Sequence, residues 1–184
     1  RMKQRPIRVL VEALNRLGAR IGYLENEGFP PLEIYGSRLV GGSIDIPASV
    51  SSQYISALLM IAPYMEKGLE IRLTGKVVSS SYIDMTLQIM REFGAEVGRE
   101  DTVIGVKPGE YRSVPYRVES DWSAASYFYE LLAIAGEGEI ILTGLKEKSM
   151  QGDSRQTVVW RKLGVRTCYE GDLVRLSAAK PEID

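Results

Sequence analysis

The hydrophobic pattern of the chain switches between helical spacing and strand spacing. Near the start, apolar residues recur at the spacing of one helix face: Ile7, Leu10, Val11, Leu14 and Leu17. Gly18 follows and predicts the end of this helix, because glycine readily adopts the left-handed conformation that closes a helix. Short apolar runs then predict strands over residues 20–24, 32–35 and 43–46.

The same order of elements returns further along the chain. We predict helices over 51–61, 82–93, 122–135 and 156–163, and strands over 69–73, 96–99, 103–106, 116–118, 139–142, 166–169 and 174–176. The segments around Gly18, Gly94 and Gly164 (residues 16–21, 91–97 and 161–167) resemble one another, and Leu73-Thr74-Gly75 returns as Leu142-Thr143-Gly144. A recurrence of about 70 residues indicates repeated supersecondary units.

Tight hairpins beside longer crossovers predict an α/β (α+β) fold with mixed strand pairing. Residues 55–62 and 131–135 are apolar on nearly all sides, so we expect the helices inside and the sheets outside. No linker or low-complexity stretch interrupts the chain. We therefore predict one compact domain over residues 1–184, made of about two and a half units.

Composition narrows the function classes. The net charge is -1, so the chain has no strong positive potential that would attract nucleic acid or an anionic membrane surface. No apolar run approaches the 18 residues that a transmembrane helix needs. One cysteine, Cys168, excludes an internal disulfide and favours a reducing compartment, so we expect a cytoplasmic protein. Histidine is absent, which excludes a Ser-His-Asp triad and argues against a zinc site.

Polar clusters precede several predicted helices. Ser51, Ser52 and Gln53 begin one helix, where free N–H groups and the positive end of the helix dipole favour a phosphate or carboxylate. Ser79 and Tyr82 belong to a second such cluster. The alternative for both clusters is simple N-capping by serine.

Three further candidates are weaker. Residues 149–155 combine hydroxyls with a glycine that would let a ligand approach the backbone, and residues 121–123 favour a simple helix cap. Arg5 lies just before a predicted helix, where it could bind an anion. The alternative is that Arg5 is an ordinary solvent-exposed arginine. If the helices are parallel, their N-termini share one face, and the residues alone then predict a site for a phosphorylated or carboxylated small molecule.

Five ordered blocks of sequence carry a family resemblance over essentially the whole chain. The blocks are RMKxRPI at 1–7, VSSQxxxALLM at 50–60, VSxxYIDxT at 78–86, SxASYF at 123–128 and SMQGD at 149–153. Together they resemble the 5-enolpyruvylshikimate-3-phosphate synthase family. The resemblance implies two lobes of three similar units each, and transfer of the enolpyruvyl group of phosphoenolpyruvate to the 5-hydroxyl of shikimate 3-phosphate with release of phosphate, without a metal or redox cofactor.

The resemblance also implies roles for single residues. Ser51, Ser52 and Ser79 match the serines that hold the 3-phosphate of shikimate 3-phosphate. Gln53 matches a glutamine that lies against the cyclohexene ring, and Tyr82 matches a tyrosine near the same substrate.

Arg5 matches an arginine that grips phosphoenolpyruvate, a task that suits a planar bidentate donor. The catalytic aspartate, glutamate and lysine of the family have no counterpart in residues 1–184, so no catalytic residue is assigned here. We expect a piece of a longer protein: a partial substrate-binding lobe that is inactive alone and has the other lobe of the same polypeptide as its partner. The sequence begins with Arg1 and not with methionine, and the alternative explanation for this is a natural terminus trimmed of a tag.

Three other interpretations stay open. One is a related enolpyruvyl transferase that acts on a nucleotide sugar, which the serine-serine-glutamine block disfavours. Another is a non-catalytic anion-binding domain of the same fold. The last is an RNA-end cyclase built from similar units, which the near-neutral charge and the absence of histidine disfavour.

Overall fold

The structure is a computed structural model that describes residues 1–75 and 80–182. The chain divides into two compact units, Arg1–Val114 and Pro115–Asp184. The predicted mixed α/β fold is confirmed, since helices and strands alternate through both units. The prediction of one compact domain over residues 1–184 stays a prediction.

The first unit contains three α-helices and six strands among its described residues. The helices are α1 (Arg8–Arg16), α2 (Ser52–Ile61) and α3 (Ser80–Glu92). The strands are β1 (Arg20–Tyr23), β2 (Leu32–Tyr35), β3 (Gly42–Pro47), β4 (Leu69–Thr74), β5 (Val97–Glu100) and β6 (Val103–Val106). β1 and β2 form an antiparallel pair, and the other four strands form a sheet in the order β3-β4-β6-β5.

The β3–β4 pair is parallel and sets the position of two helices. Parallel neighbours need a crossover, and α2 supplies it. Pro47 at the end of β3 lies opposite Thr74 at the end of β4. α2 follows the first strand and α3 the second, so both helices begin beyond the carboxyl ends of neighbouring strands. This edge of the sheet therefore collects two helix N-termini.

Alternation along the strands builds the core of the first unit. Ile44, Ile46 and Ile71 point inward and are buried, whereas Asp45 between the first two is exposed. α2 buries Ile55, Leu58 and Leu59 against them. Burying one such side chain contributes about 1.5–3 kcal/mol. The core thus fixes where the N-terminus of α2 lies.

The second unit places two helices beside a three-stranded antiparallel sheet. The helices are α4 (Trp122–Ala135) and α5 (Gln156–Lys162), and the strands, β7 (Glu139–Thr143), β8 (Val165–Glu170) and β9 (Leu173–Ala178), pair in the order β7-β9-β8. Trp122 and Tyr129 of α4 are fully buried, and the Tyr129 ring stacks on Trp160 with centroids 5.8 Å apart. The opposite face of α4, with Leu131 and Ile134, is exposed.

One predicted strand is wrong. Residues 116–118 form no strand in the described chain. Tyr116, Arg117 and Val118 are all exposed, so the segment has no apolar face to bury against a neighbouring strand. Arg117 instead pairs with Asp172, with Nη1 and Oδ2 2.7 Å apart. Among the described helices, none is long and apolar enough to cross a membrane.

Candidate functional site

The start of α2 is the centre of the candidate site. Ser51 is the N-cap residue, and its hydroxyl accepts a hydrogen bond from the Gln53 backbone N–H at 3.3 Å. This distance is long for a cap, so the hydroxyl is only weakly engaged. The Tyr54 N–H donates to the Ser51 carbonyl at 3.0 Å, whereas the Ser52 N–H has no acceptor among the described residues, which makes the helix start suitable for an anion. In open α/β sheets, ligands bind at the carboxyl ends of parallel strands, where this turn lies.

α3 lies beside α2 through a hydroxyl pair. The Ser56 and Thr86 hydroxyl oxygens are 2.8 Å apart, and Thr86 also donates to the Tyr82 carbonyl at 2.9 Å. This contact holds the first turns of α3 against the first half of α2. Tyr82 is 54% exposed, and its side chain is accessible to a ligand. Ser79, the third predicted phosphate contact, lies outside the described residues.

The segment that carries Arg5 also reaches α2. The Tyr54 hydroxyl donates to the Pro6 carbonyl at 2.7 Å, across 48 positions of sequence. Arg5 is exposed, and within residues 1–75 and 80–182 its guanidinium has no hydrogen-bond or ion-pair partner. The structure therefore brings the Arg5 segment to the helix that begins with Ser52 and Gln53. The individual roles of these residues stay predictions.

The polar side chains at the start of α2 differ from those at the start of α4. In the described structure the Ser52 hydroxyl, the Gln53 amide and the Tyr82 hydroxyl take no hydrogen bond. At α4, by contrast, Asp121 accepts from the Ser123 N–H at 2.8 Å, as the capping interpretation predicts. The Ser123 hydroxyl in turn donates to Asp153.

The remaining candidate block, residues 149–155, serves the same internal network. The Gln151 carboxamide accepts from the Trp122 N–H at 2.9 Å and donates to the Ser120 carbonyl at 2.9 Å. The Gln151 N–H donates to the Ser149 hydroxyl at 3.0 Å. Because these groups satisfy one another, the start of α4 has few polar groups left for a ligand.

Glu119 is the residue of this network that the sequence did not reveal. Its carboxylate accepts from the Trp122 indole N–H, the Lys146 backbone N–H and the Ser149 hydroxyl, each at 3.0 Å. The only sequence signal is an acidic residue three positions before a tryptophan, which is too common to be informative. Glu119 therefore supports the fold of the second unit.

Charge near the start of α3 is balanced. Asp84 pairs with Arg99 at 2.5 Å, and the Arg99 side chain is 18% exposed. This pairing compensates a carboxylate that would otherwise repel an anion at the same helix. Among the described residues, no group of three or more histidine, cysteine or acidic side chains could hold a metal ion.

A groove of about 800 Å³ lies away from this edge, at the amino ends of β3 and β4. Lys107 in this groove pairs with Glu96 at 2.7 Å, and this ammonium holds the pKa of Glu96 below its ordinary value. The Arg91 guanidinium donates to the Val97 carbonyl at 3.3 Å. These three charged side chains of the groove are therefore already engaged.

Comparison with known proteins agrees with the resemblance. The profile of the EPSP synthase (3-phosphoshikimate 1-carboxyvinyltransferase) family matches residues 1–181. A 3-phosphoshikimate 1-carboxyvinyltransferase of Bacteroides fragilis is 53% identical over 177 residues, which are 96% of this chain and 43% of that protein. One from Mannheimia haemolytica is 44% identical over 95% of this chain and 41% of its own length. The chain thus spans less than half the length of these curated relatives.

A solved EPSP synthase from Acinetobacter baumannii has a similar fold. The TM-score is 0.71 at 21% identity, over 98% of this chain and 41% of that one. The family resemblance inferred from the five sequence blocks is confirmed by the profile match over residues 1–181. Taken with the curated relatives, that match shows that this chain belongs to the EPSP synthase family.

Proposed function

We propose that this chain supplies the shikimate 3-phosphate site of a 3-phosphoshikimate 1-carboxyvinyltransferase. The whole enzyme would transfer the enolpyruvyl group of phosphoenolpyruvate to the 5-hydroxyl of shikimate 3-phosphate and release phosphate. The observation that carries this proposal is the set of unengaged polar groups at the start of α2, on the edge where α2 and α3 both begin.

Ser51 and Ser52 act on the 3-phosphate together with Ser79. A phosphate at this position meets hydroxyl donors, free backbone N–H groups and the positive ends of two helix dipoles. Hydrogen bonds to a charged acceptor contribute about 1.5–3 kcal/mol each, so this corner supplies most of the affinity for the phosphorylated ring. Gln53 and Tyr82 then orient the cyclohexene ring of shikimate 3-phosphate, whereas the serines hold its phosphate.

Arg5 serves the second substrate. Its guanidinium presents a planar fork that matches a carboxylate or phosphate of phosphoenolpyruvate. The Tyr54–Pro6 hydrogen bond supports this division of work, because it joins the Arg5 segment to the helix that holds the other substrate. Two substrates held in one orientation react faster than two that must collide.

The proposal extends to the setting of the enzyme. The rest of the synthase polypeptide is the partner of this chain, and supplies the acid and base groups that residues 1–184 lack. The reaction belongs to the shikimate pathway towards chorismate and the aromatic amino acids, in the cytoplasm, and uses no metal or redox cofactor.

Titration of the ¹⁵N-labelled chain tests the binding half of the proposal. Shikimate 3-phosphate should shift the amide signals of Ser52 and Gln53, whereas shikimate, which lacks the phosphate, should shift them much less. Inorganic phosphate alone should bind more weakly than shikimate 3-phosphate, because it makes no contact with Gln53 or Tyr82. Equal binding of both phosphates would favour a non-catalytic anion-binding domain, and preferential binding of a nucleotide sugar would favour the related transferase.

Coupled measurement of phosphate release tests the other half. The chain alone should show no turnover of phosphoenolpyruvate with shikimate 3-phosphate. A chimera in which residues 1–181 replace the matching segment of the Bacteroides fragilis relative should be active. Turnover by the chain alone within a hundredfold of that chimera would contradict the proposal that the acid and base groups lie elsewhere.

A further inference from the structure

The segment around Arg5 is fixed on one side by the turn that follows β1. The Ile7 N–H donates to the Gly28 carbonyl at 2.8 Å. Arg8 pairs with Glu27, with Nη1 and Oε1 2.8 Å apart. These contacts hold residues 5–8 to the β1–β2 connection, and neither of them reaches α2.

One hydrogen bond joins this segment directly to α2. The Tyr54 hydroxyl donates to the Pro6 carbonyl at 2.7 Å, and among the described residues no other hydrogen bond joins residues 1–8 to α2. Tyr54 is the third residue of α2 and adjoins Gln53. Pro6 adjoins Arg5 and has a fixed φ, so a bond to its carbonyl also restricts the backbone from which the Arg5 side chain leaves.

We propose that Tyr54 is a positioning residue of the substrate site: through Pro6, it holds Arg5 beside the start of α2. This inference rests on the proposed function, because it matters only if Arg5 and the start of α2 bind two parts of one reacting pair. A long arginine side chain finds its ligand more readily when its backbone is already placed. The benzene ring of Tyr54 supplies packing, and the hydroxyl supplies the position.

Tyr54→Phe separates these two contributions. Phenylalanine keeps the ring and its packing but leaves the Pro6 carbonyl without its donor. Tyr64→Phe is the matched control, since Tyr64 lies in the same unit, is 64% exposed, and its hydroxyl makes no hydrogen bond within the described structure. Both variants should fold, because each removes one oxygen atom and no apolar surface.

Amide hydrogen exchange of the ligand-free chain tests whether the Tyr54–Pro6 hydrogen bond stabilises the Arg5 segment. In Tyr54→Phe, the Arg5 and Ile7 amides should exchange about two- to tenfold faster, which is the factor expected for loss of one neutral hydrogen bond. The Tyr64→Phe variant should match the wild type. Unchanged exchange at Arg5 and Ile7 in Tyr54→Phe would overturn the proposal.

Kinetics of the active chimera then distinguish positioning from mere support of the fold. In the Tyr54→Phe chimera, the apparent constant for phosphoenolpyruvate, the substrate assigned to Arg5, should rise at least about threefold, while that for shikimate 3-phosphate should stay within about twofold. Equal changes in both constants would overturn the positioning role.

The two proposals fail in different ways. If the chimera shows no turnover, the proposed function fails, and the exchange experiment still decides whether Tyr54 holds the Arg5 segment. If the chimera is active and Tyr54→Phe leaves the constant for phosphoenolpyruvate unchanged, the proposed function stands and the positioning role is overturned.

Discussion

Replacement of Ser51 tests directly whether the phosphate binds at the start of α2, because the Ser51 hydroxyl can both cap this helix and bind the phosphate. Ser51→Ala removes both functions. The cap is long at 3.3 Å, so its loss should cost about 0.5–1 kcal/mol of folding free energy, in the lower part of the range for N-caps. For a chain of this size, that lowers Tm by about 1–4 °C.

The effect on the ligand should be larger. Loss of one hydrogen bond to a charged phosphate costs about 1.5–3 kcal/mol, which weakens binding of shikimate 3-phosphate by about 10- to 150-fold. Adding the corresponding change at Ser79 should remove detectable shift changes on titration. Isothermal calorimetry or amide shifts measure the affinity, and circular dichroism measures Tm.

Ser51→Asp separates the two functions. Aspartate is as good an N-cap as serine, so Tm should stay within about 1 °C of the wild type or rise. Its negative charge opposes the phosphate, so affinity should fall at least as far as in the alanine variant. The control is Asp121→Asn, which alters the cap of α4 and should leave affinity within about twofold. Wild-type affinity in Ser51→Asp would refute the assignment of the phosphate to this corner.

Three further predictions concern other parts of the chain. In the active chimera, Arg5→Lys should raise the apparent constant for phosphoenolpyruvate at least about tenfold, equivalent to about 1.4 kcal/mol, and that for shikimate 3-phosphate much less. Gly68→Ala should destabilise the first unit by about 2–5 kcal/mol in urea unfolding, because φ is +65° and the added Cβ would lie 2.2 Å from the Val106 carbonyl oxygen. Burial raises the pKa of Tyr129 to about 12, so the folded state favours the neutral phenol. The contribution of this group to the free energy of unfolding should therefore be fully present below pH 10 and should be lost as the pH rises to 12.

Each of these predictions has a control. Equal effects of Arg5→Lys on both substrates would assign Arg5 to the fold, and a stronger effect of Arg1→Lys on phosphoenolpyruvate would move the contact to Arg1. Gly75→Ala, where φ is +88° and no atom of the described residues lies within 4 Å of the added Cβ, should cost at least about 1 kcal/mol less than Gly68→Ala. Tyr129→Phe should reduce the loss of stability between pH 10 and 12 in tryptophan fluorescence, and an unchanged loss would assign it to another group.

The prediction of the strand over residues 116–118 failed for an identifiable reason. Extended, partly apolar residues such as Tyr116 and Val118 look the same in sequence whether or not a neighbouring strand accepts them. A strand exists only when a ladder partner lies alongside, and such a partner comes from elsewhere in the chain. The other strands were predicted to within a few residues because turns and glycines mark their ends locally.

The candidate sites illustrate the same limit. Two short segments carry polar side chains at a predicted helix start: Ser51-Ser52-Gln53 and Asp121-Trp122-Ser123. Only the folded chain decides that the second is engaged internally, because Gln151 reaches it from 29 positions away along the sequence. Glu119 was missed for the same reason, since its partners at Lys146 and Ser149 are distant in sequence.

The sequence by itself determined the elements, their repetition and the family, because hydrophobic period, helix-ending glycines and ordered motifs are local properties of the chain. The tertiary structure decided which polar groups are available. The parallel register of β3 with β4 brings two helix N-termini to one edge, and the Tyr54–Pro6 hydrogen bond spans 48 positions to bring Arg5 there. Such contacts depend on how distant segments pack, and packing is a property of the whole fold and not of any short stretch of sequence.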